Sequence, residues 1–321
     1  MPIFKEGIVK KNIEIVPYNP NWPKMFEAES TCIKEALGDN CLEVHHIGST
    51  SVPDLAAKPV VDIIPVVRDI RLVDVCNLAM ETLGYQAMGE YGIPLRCYFQ
   101  KGLKLRTHNV HIFEQNNPEI DRHIMFRNWM RAHPEDAKAY ADLKKNLAAR
   151  FPEDIFSYCT GKEDFIALMD EKAGWRGLRF VHALMSKEWK AVEYFRGEYF
   201  SGLQRMEDPC QWTFNHSEHA HLTLYQGIKI IGYAHIQFWK EARAAIRIIV
   251  IDEKNRNMNV GSQFLALIER WLKASGIKSI HAEPSQSVLR FFLKNGYFEL
   301  SLDDPENHVS KPENIAVGKW L

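Results

Sequence analysis

The sequence predicts an α+β protein built as two domains. A chain of 321 residues exceeds what one hydrophobic core usually organises. Segments with strand and with helix periodicity occur in both halves. A sheet-then-helices pattern also ends at the glycine-bounded stretch GWRG, residues 174–177, after which strands and helices begin again. The expected domains are residues 1–174 and 175–321.

In chain order, residues 13–16 read as a short strand, and a proline-rich turn at 17–23 leads into a helix at 24–37 stopped by Gly38. Residues 42–46 form a second strand ending at Gly48-Ser49, and the apolar run 60–67 suits a buried strand. Helical spacing covers 71–83 up to Gly84. Residues 96–100 and 107–113 make a hairpin through the turn KGLK. Residues 119–174 turn helical in three segments divided by His133-Pro134 and Phe151-Pro152, giving a sheet with a helical cap. The helix 186–200 opens the second domain. Strands follow at 221–225 and 229–239, joined at Gln226-Gly227, and then at 244–251.

The composition is that of an ordinary soluble protein, 46% hydrophobic and 25% charged. With 40 basic against 41 acidic residues, no global field draws the chain to nucleic acid or an anionic membrane. The charged start lacks a secretory pattern and no apolar run would span a bilayer, so a cytoplasmic protein is expected. The cysteines at 32, 41, 76, 97, 159 and 210 show no metal-ligand spacing and read as reduced, mostly buried packing residues.

The stretch 246–276 carries the clearest chemistry. An apolar strand runs into a turn, and Phe264, Leu265, Ile268, Trp271 and Leu272 then recur at helical spacing. A helix start exposes unpaired N–H groups and the positive end of the dipole, which together cradle phosphate. Gly261 offers no side chain to obstruct a ligand, Asn259 accepts a left-handed backbone, and Arg256 adds a charged donor.

Arg256-Asn257-Met258-Asn259-Val260-Gly261 resembles the R/Q-x-x-G-x-G/A signature of the GNAT acetyltransferases, with Asn259 in place of the first glycine. The segment SVLRFFLKNGYFEL, residues 287–300, is similar to the family's second signature, so the resemblance covers about residues 186–321. It implies a GNAT (acyl-CoA N-acyltransferase) fold, acetyl-CoA as cofactor, and a small-molecule or peptide amine as acceptor. The pyrophosphate then falls on residues 256–261 and Ser262, the pantetheine pairs with a splayed strand at Val250 and Ile251, and Asn295 either approaches the cofactor or caps its helix. The family's usual acid, a tyrosine, is matched by Phe292, and Tyr297 is expected to pack. Glu283, after the strand 279–282, is the candidate general base, set against a solvated loop position before Pro284. His235 and His281 read as strand residues without a catalytic role.

In the first half, HHIGSTSVPDLAAKPVVDI (residues 45–63), YNPNWPKMFEAE (18–29), RTHNVHIF (106–113) and the helical stretch 126–151 together resemble the GrpB family, a branch of the nucleotidyltransferase-like fold. The resemblance extends over about residues 13–175 and implies a mixed sheet with a helical cap. Gly48 and Ser49 form a second phosphate-sized turn, Lys58, Arg96 and Arg106 supply charge, and Asp62 matches the first metal carboxylate of a nucleotidyltransferase. Ile64 occupies the second carboxylate position, and one carboxylate cannot hold a two-metal site. His111 could join Asp62 and His46 at an unusual metal or phosphate site. His108 points to the opposite strand face. The preferred expectation is no metal, and a nucleotide or other phosphorylated ligand bound without turnover. Two alternatives remain: a C-terminal domain that only senses acyl-CoA, and nucleotidyl transfer by the N-terminal domain.

Overall fold

The computed structural model describes residues 12–102, 105–201, 211–301, 303–305 and 314–321. The hairpin tip at 103–104, the chain start and Cys210 lie outside them. The chain divides into two compact units. One comprises Pro2–Tyr91 and Leu95–Arg179, the other Gly92–Pro94 and Phe180–Leu321.

The N-terminal unit opens with α1 (Trp22–Leu37), whose buried Trp22, Ser30, Ile33 and Leu37 keep helical spacing and whose end is set by Gly38 at φ 56°. Strand β1 (Cys41–Ile47) runs antiparallel to β2 (Val61–Val67). The helix expected at 71–83 is broken: two 3₁₀ turns, Ile70–Leu72 and Asp74–Cys76, precede a short α2 (Asn77–Thr82). Asp69 caps Arg71 locally, and Leu72, Val75 and Leu78 stay at least half exposed, so no burial rewards a continuous helix. A strand absent from the sequence reading, β3 (Tyr85–Ala87), edges the sheet beside β4 (Arg96–Lys101). The expected hairpin forms between β4 and β5 (His108–Glu114). Among the described residues the sheet order is β1-β2-β5-β4-β3, with β2 and β5 parallel and the other pairs antiparallel. The strand expected at 13–16 reduces to one bridge, Val16 to Ala57.

The cap holds α3 (Pro118–Ala132), α4 (Pro134–Arg150), α5 (Ile155–Thr160) and α6 (Glu163–Lys172). The third expected segment thus splits at Gly161, where an added Cβ would run into Leu147 of α4. Met130, Ala137, Tyr140, Ala141 and Met169 bury the cap against Val52 and Leu55. Arg122 joins the buried carboxylates of Glu119 (2.8 Å) and Asp170 (3.0 Å).

The C-terminal unit begins earlier than the helix expected to open it. Strand β6 (Leu178–His182) already belongs to its sheet, followed by α7 (Ser186–Ser201). Then come β7 (His219–Gln226), β8 (Lys229–Trp239) and β9 (Arg243–Ile251), with Gly227 at φ 58° in the tight β7–β8 turn. Helix α8 (Val260–Ala274), β10 (Ser279–Ala282), α9 (Gln286–Lys294), β11 (Phe298–Glu299) and β12 (Val317–Trp320) complete it. The sheet order among the described residues is β11-β12-β10-β9-β8-β7-β6. The fold class is therefore α+β in both units. The five described cysteines are unpaired; four are half-buried and Cys159 is exposed, so the expectation of mostly buried thiols does not hold. No described helix is long and apolar enough to cross a membrane.

Candidate functional site

In the C-terminal unit the site grows out of a strand that loses one neighbour. β9 pairs with β8 along its whole length, from Trp239↔Arg243 to Gly232↔Ile251. It pairs with parallel β10 only from Ser279↔Arg243 to Ala282↔Ile246. The register with β8 slips between Ile246 and Ile248, leaving Arg247 as a bulge that bends β9 where β10 departs. Beyond Ile246, one backbone edge of β9 has no strand beside it among the described residues. Val250 and Ile251 lie on that stretch, and Glu283 follows β10 at the point of divergence, half-buried.

The chain then turns through Asp252, which caps Lys254 N, and a 3₁₀ turn at Glu253–Asn255. Asn257 and Asn259 take left-handed φ values of 63° and 61°. Asn259 is the N-cap of α8 but makes no side-chain cap bond. Among the described residues nothing accepts from the N–H groups of Val260, Gly261 and Ser262. Arg256 to Asn259 are exposed, so this corner is open to solvent. Arg256 Nε donates to Ile251 O at 3.0 Å and ties the turn to the strand end. A Cβ at Gly261 would meet Phe291 of α9 at 3.2 Å, so glycine keeps the helix start close to that ring.

Asn295 Nδ2 donates to Phe291 O at 2.7 Å, which places its side chain in the C-terminal cap of α9. Phe292 is buried and stands edge-on to the buried Tyr297 ring. His281 packs near Trp239 and shares a contact with Ser279 Oγ at 3.1 Å. The sequence reading missed a buried polar network behind β7 and β8. Arg196 on α7 donates to Tyr233 OH (3.0 Å) and contacts His235 Nδ1 (3.3 Å), while His221 Nδ1 meets the Tyr233 hydroxyl at 2.7 Å. Burial, reinforced by Arg196 and the neighbouring histidines, holds His235 neutral.

In the N-terminal unit the candidate residues converge on Asp62 of β2. Asn109 Nδ2 donates to Asp62 Oδ1 at 2.8 Å. Arg96 NH1 donates to His111 Nδ1 at 3.1 Å, which leaves the His111 proton on Nε2, 3.7 Å from the same carboxylate oxygen. Burial alone would raise the Asp62 pKa, but the facing His111 and the bond from Asn109 outweigh it and hold the acid ionised. The other oxygen abuts Gly48, where an added Cβ would lie 2.5 Å from Oδ2; with φ at +69°, that position requires glycine.

The Gly48–Ser51 turn is braced from several sides. Arg127 donates to His46 O and Arg131 to Ser51 O, while His46 Nε2 is within 3.0 Å of Thr50 Oγ1. Burial lowers the His46 pKa to about 4. Arg96 is buried and donates to the carbonyls of Glu90 and Tyr91, so it serves the scaffold through His111. Arg106 bonds Gln100, which donates to Tyr98 OH, which donates to Asn109. His108 faces away and lies 3.9 Å from Glu29. No three His, Cys, Asp or Glu side chains among the described residues are grouped to hold a metal ion. Besides Arg127 and Arg131, sequence reading missed a third cation at this turn, Lys144 of α4. Its Nζ donates to Ser49 Oγ at 2.8 Å and to Ala56 O at 2.6 Å.

Against known proteins, the GrpB protein model matches residues 12–172, half of the chain. The chain belongs to the GrpB family. This GrpB protein also carries a domain of the acetyltransferase (GNAT) family, matched over residues 181–297. It is 46% identical over 164 residues to the Bacillus subtilis protein YqkA, covering 51% of this chain and 48% of that one. The chain thus spans about half the length of that relative. Among solved structures, the conserved protein GrpB from Enterococcus faecalis is 44% identical, covering 50% of this chain and 96% of its own, with a TM-score of 0.48. A GNAT-family acetyltransferase from Staphylococcus aureus is 16% identical, covering 45% and 99%, with a TM-score of 0.39.

Proposed function

We propose that this protein is an acetyl-CoA-dependent N-acetyltransferase acting on a small-molecule or peptide amine, with an N-terminal domain that binds a nucleotide or other phosphorylated ligand. The two roles are assigned to separate domains, with the chain passing from one to the other between Gly174 and Phe180. The observation that carries the first role is the open edge of β9 past Ile246 leading through the exposed residues 256–259 to the unpaired N–H groups at the start of α8. Acetyl-CoA fits this donor set: a diphosphate needs several convergent N–H groups at a helix start, and an amide-rich arm needs an open strand edge. When bound, acetyl-CoA supplies the activated acyl group.

Residues 256–262 hold the diphosphate, and the Ile251 N–H pairs the arm, the Ile251 carbonyl being taken by Arg256; the Val250 N–H and carbonyl turn instead to Tyr233 of β8, so Val250 does not join the pairing that the sequence suggested for it. Asn295 supports the site through the end of α9. Glu283, where β9 and β10 part, accepts the proton of the attacking amine directly or through water. Phe292 offers no acid, and a thiolate is a good enough leaving group to depart with a proton from water.

The test is release of free thiol from acetyl-CoA against a panel of amines. Turnover with any amine supports the assignment. Tight CoA binding without turnover across a broad panel favours a second reading, an acyl-CoA sensor, which the buried Phe292 recommends. In the N-terminal domain, Gly48, Ser49, Lys58, Asp62 and Arg106 border the ligand, while Arg96 and His111 orient Asp62.

A further inference from the structure

The two faces of the C-terminal sheet differ in chemistry. Phe180 of β6 and Phe238 of β8 meet Phe264 and Trp271 of α8, so one face is apolar and covered. The residues that alternate with Phe238 turn the other way, and on that second face a polar row crosses four strands where β9 and β10 part. His219 of β7 is in register with Gln237 of β8. Arg247, the bulge residue of β9, lays its guanidinium on the same face: Nε donates to Gln237 Oε1 at 2.6 Å, and the charge is paired with Asp304 Oδ2 at 2.7 Å. Glu283 follows two residues after His281, whose ring lies beside Trp239 on this face, so alternation brings Glu283 to the end of the row. His219, Arg247 and Glu283 are half-buried, whereas His221, His235, Trp239 and His281 to either side are buried, so the face opens at the row.

Three of the four side chains act as hydrogen-bond donors. Arg196 keeps its proton, so its NH1 donates to His235 Nδ1 at 3.3 Å. His235 then carries its proton on Nε2 and donates to His219 Nδ1 at 2.9 Å, which puts the His219 proton on Nε2. Arg247 settles the Gln237 amide in the same manner. With Oε1 meeting a donor, Nε2 is the end left over, and among the described residues it makes no hydrogen bond although Gln237 is 1% exposed. Leaving such a donor unmet is costly. The fourth member, Glu283, is an acceptor.

We infer that this row is the acceptor subsite and that it selects an amine carrying a carboxylate a few bonds from its nitrogen, as an amino acid does. The inference rests on the acetyltransferase reading above and deepens it by naming the acceptor class. The amine meets Glu283, and the carboxylate oxygens accept from Gln237 Nε2 and His219 Nε2. Asp304 already balances Arg247, so the amide and imidazole donors carry the recognition and Arg247 orients the amide. Strands lie about 4.8 Å apart, so Glu283 and Gln237, two strands from each other, are about 10 Å apart at the backbone and leave room between their side chains for a short acceptor. A carboxylate presents acceptors only. A carboxamide brings N–H groups to a row that already has its donors, and a decarboxylated amine leaves Gln237 unmet. In the transfer, the nitrogen bonds to the acyl carbon as the carbon–sulfur bond breaks, its surplus proton passes to Glu283, the thiolate takes a proton from water, and the carboxylate is unchanged.

The experiment gives the full chain acetyl-CoA with three matched sets, the standard L-amino acids, their carboxamides and the amines left when the carboxylate is removed, and follows thiol release. At least one amino acid should be turned over with a kcat/KM tenfold or more above both of its analogues, the difference lying in KM. Calorimetric titration of the same three compounds into the chain saturated with coenzyme A should give the same order of affinity. Gln237→Glu keeps the oxygen that Arg247 meets and replaces the donor with an acceptor, so it should lower the acid-to-amide ratio at least tenfold. The comparison in the unaltered chain stands by itself if that variant folds poorly. An amino acid no better than its analogues, a ratio unchanged in Gln237→Glu, or turnover confined to amines without a carboxylate overturns the inference and leaves the acetyltransferase reading standing. No thiol release with any amine, in a chain that binds coenzyme A, overturns both.

Discussion

Substitutions at Gly261 separate charge from bulk at the α8 turn. A Cβ there would lie 3.2 Å from Phe291 Cε2 and 3.8 Å from Ile251 Cγ1, so Gly261→Ala asks the Phe291 ring to give by a few tenths of an ångström. Gly261→Glu makes the same demand and adds a carboxylate where the Val260, Gly261 and Ser262 N–H groups face a diphosphate. Two unit charges about 4 Å apart repel by about 1 kcal/mol in bulk water and about 4 kcal/mol at the effective dielectric of a protein surface. With about 1.4 kcal/mol per decade of affinity, the glutamate should raise the Kd for coenzyme A by about fivefold to a thousandfold relative to the alanine variant. Calorimetry on both variants measures the gap, and matched melting curves exclude a folding effect. Raising salt from about 0.15 M to about 1 M shortens the screening length from about 8 Å to about 3 Å and should narrow it. Equal affinities in the two variants, or a gap indifferent to salt, would refute the placement of the diphosphate.

Two further outcomes follow from the geometry. Glu283→Gln should lower kcat/KM by about a hundredfold or more and remove the acid limb of its pH profile, with little change in coenzyme A affinity; an unaltered profile returns Glu283 to a solvated loop position. Arg122→Met should destabilise the N-terminal unit by about 3–5 kcal/mol at neutral pH, because it strands two buried carboxylates. Burial would raise the Glu119 pKa, but Arg122 and His123 bring it to about 2, so its contribution is present above about pH 4.5 and lost as pH falls toward 2. Burial keeps Asp170 raised even beside Arg122, so it too is worse off ionised and unpartnered. The stability gap measured by urea unfolding should therefore shrink as pH falls from about 4.5 toward 2, and a gap constant across that window would exclude a charge effect.

What the sequence made legible follows from range. The α8 stripe of Phe264, Leu265, Ile268, Trp271 and Leu272 is a local pattern, and all five residues are buried as their spacing predicts. The left-handed backbone at Asn259 is equally local, since Asn is among the few residues that accept it. Short strands such as β3, β6 and β12 escape because their pairing is non-local and a few residues carry no readable period. The interrupted helix before Gly84 fails for a related reason: periodicity at Leu72, Val75 and Leu78 announces a face, and only tertiary structure decides whether anything covers it. Lys144 is the instructive miss. It looks like the exposed Lys145 beside it, yet it falls on the stripe Ala137, Tyr140, Ala141, Leu147 and Ala148, all buried. A lysine in register with an apolar helix face is a signal that sequence alone provides, and it marks a charge the fold has reason to bury.

The two turns follow a strand in the same way and differ in their electrostatics. After β9, the positive end is made of backbone dipoles, with no buried full charge, so the protein gives up little stability to keep the α8 turn ready. After β1, the Gly48 turn is completed by the Lys144 ammonium, held at the edge of ionisation by burial. The Asp62 network agrees with this division. Asn109 and His111 both approach Oδ1, fixing the carboxylate's orientation, and Gly48 keeps a side chain off Oδ2. An oriented base beside a proton-sensitive ammonium discriminates among ligands by where they carry charge, whatever the chemistry that follows.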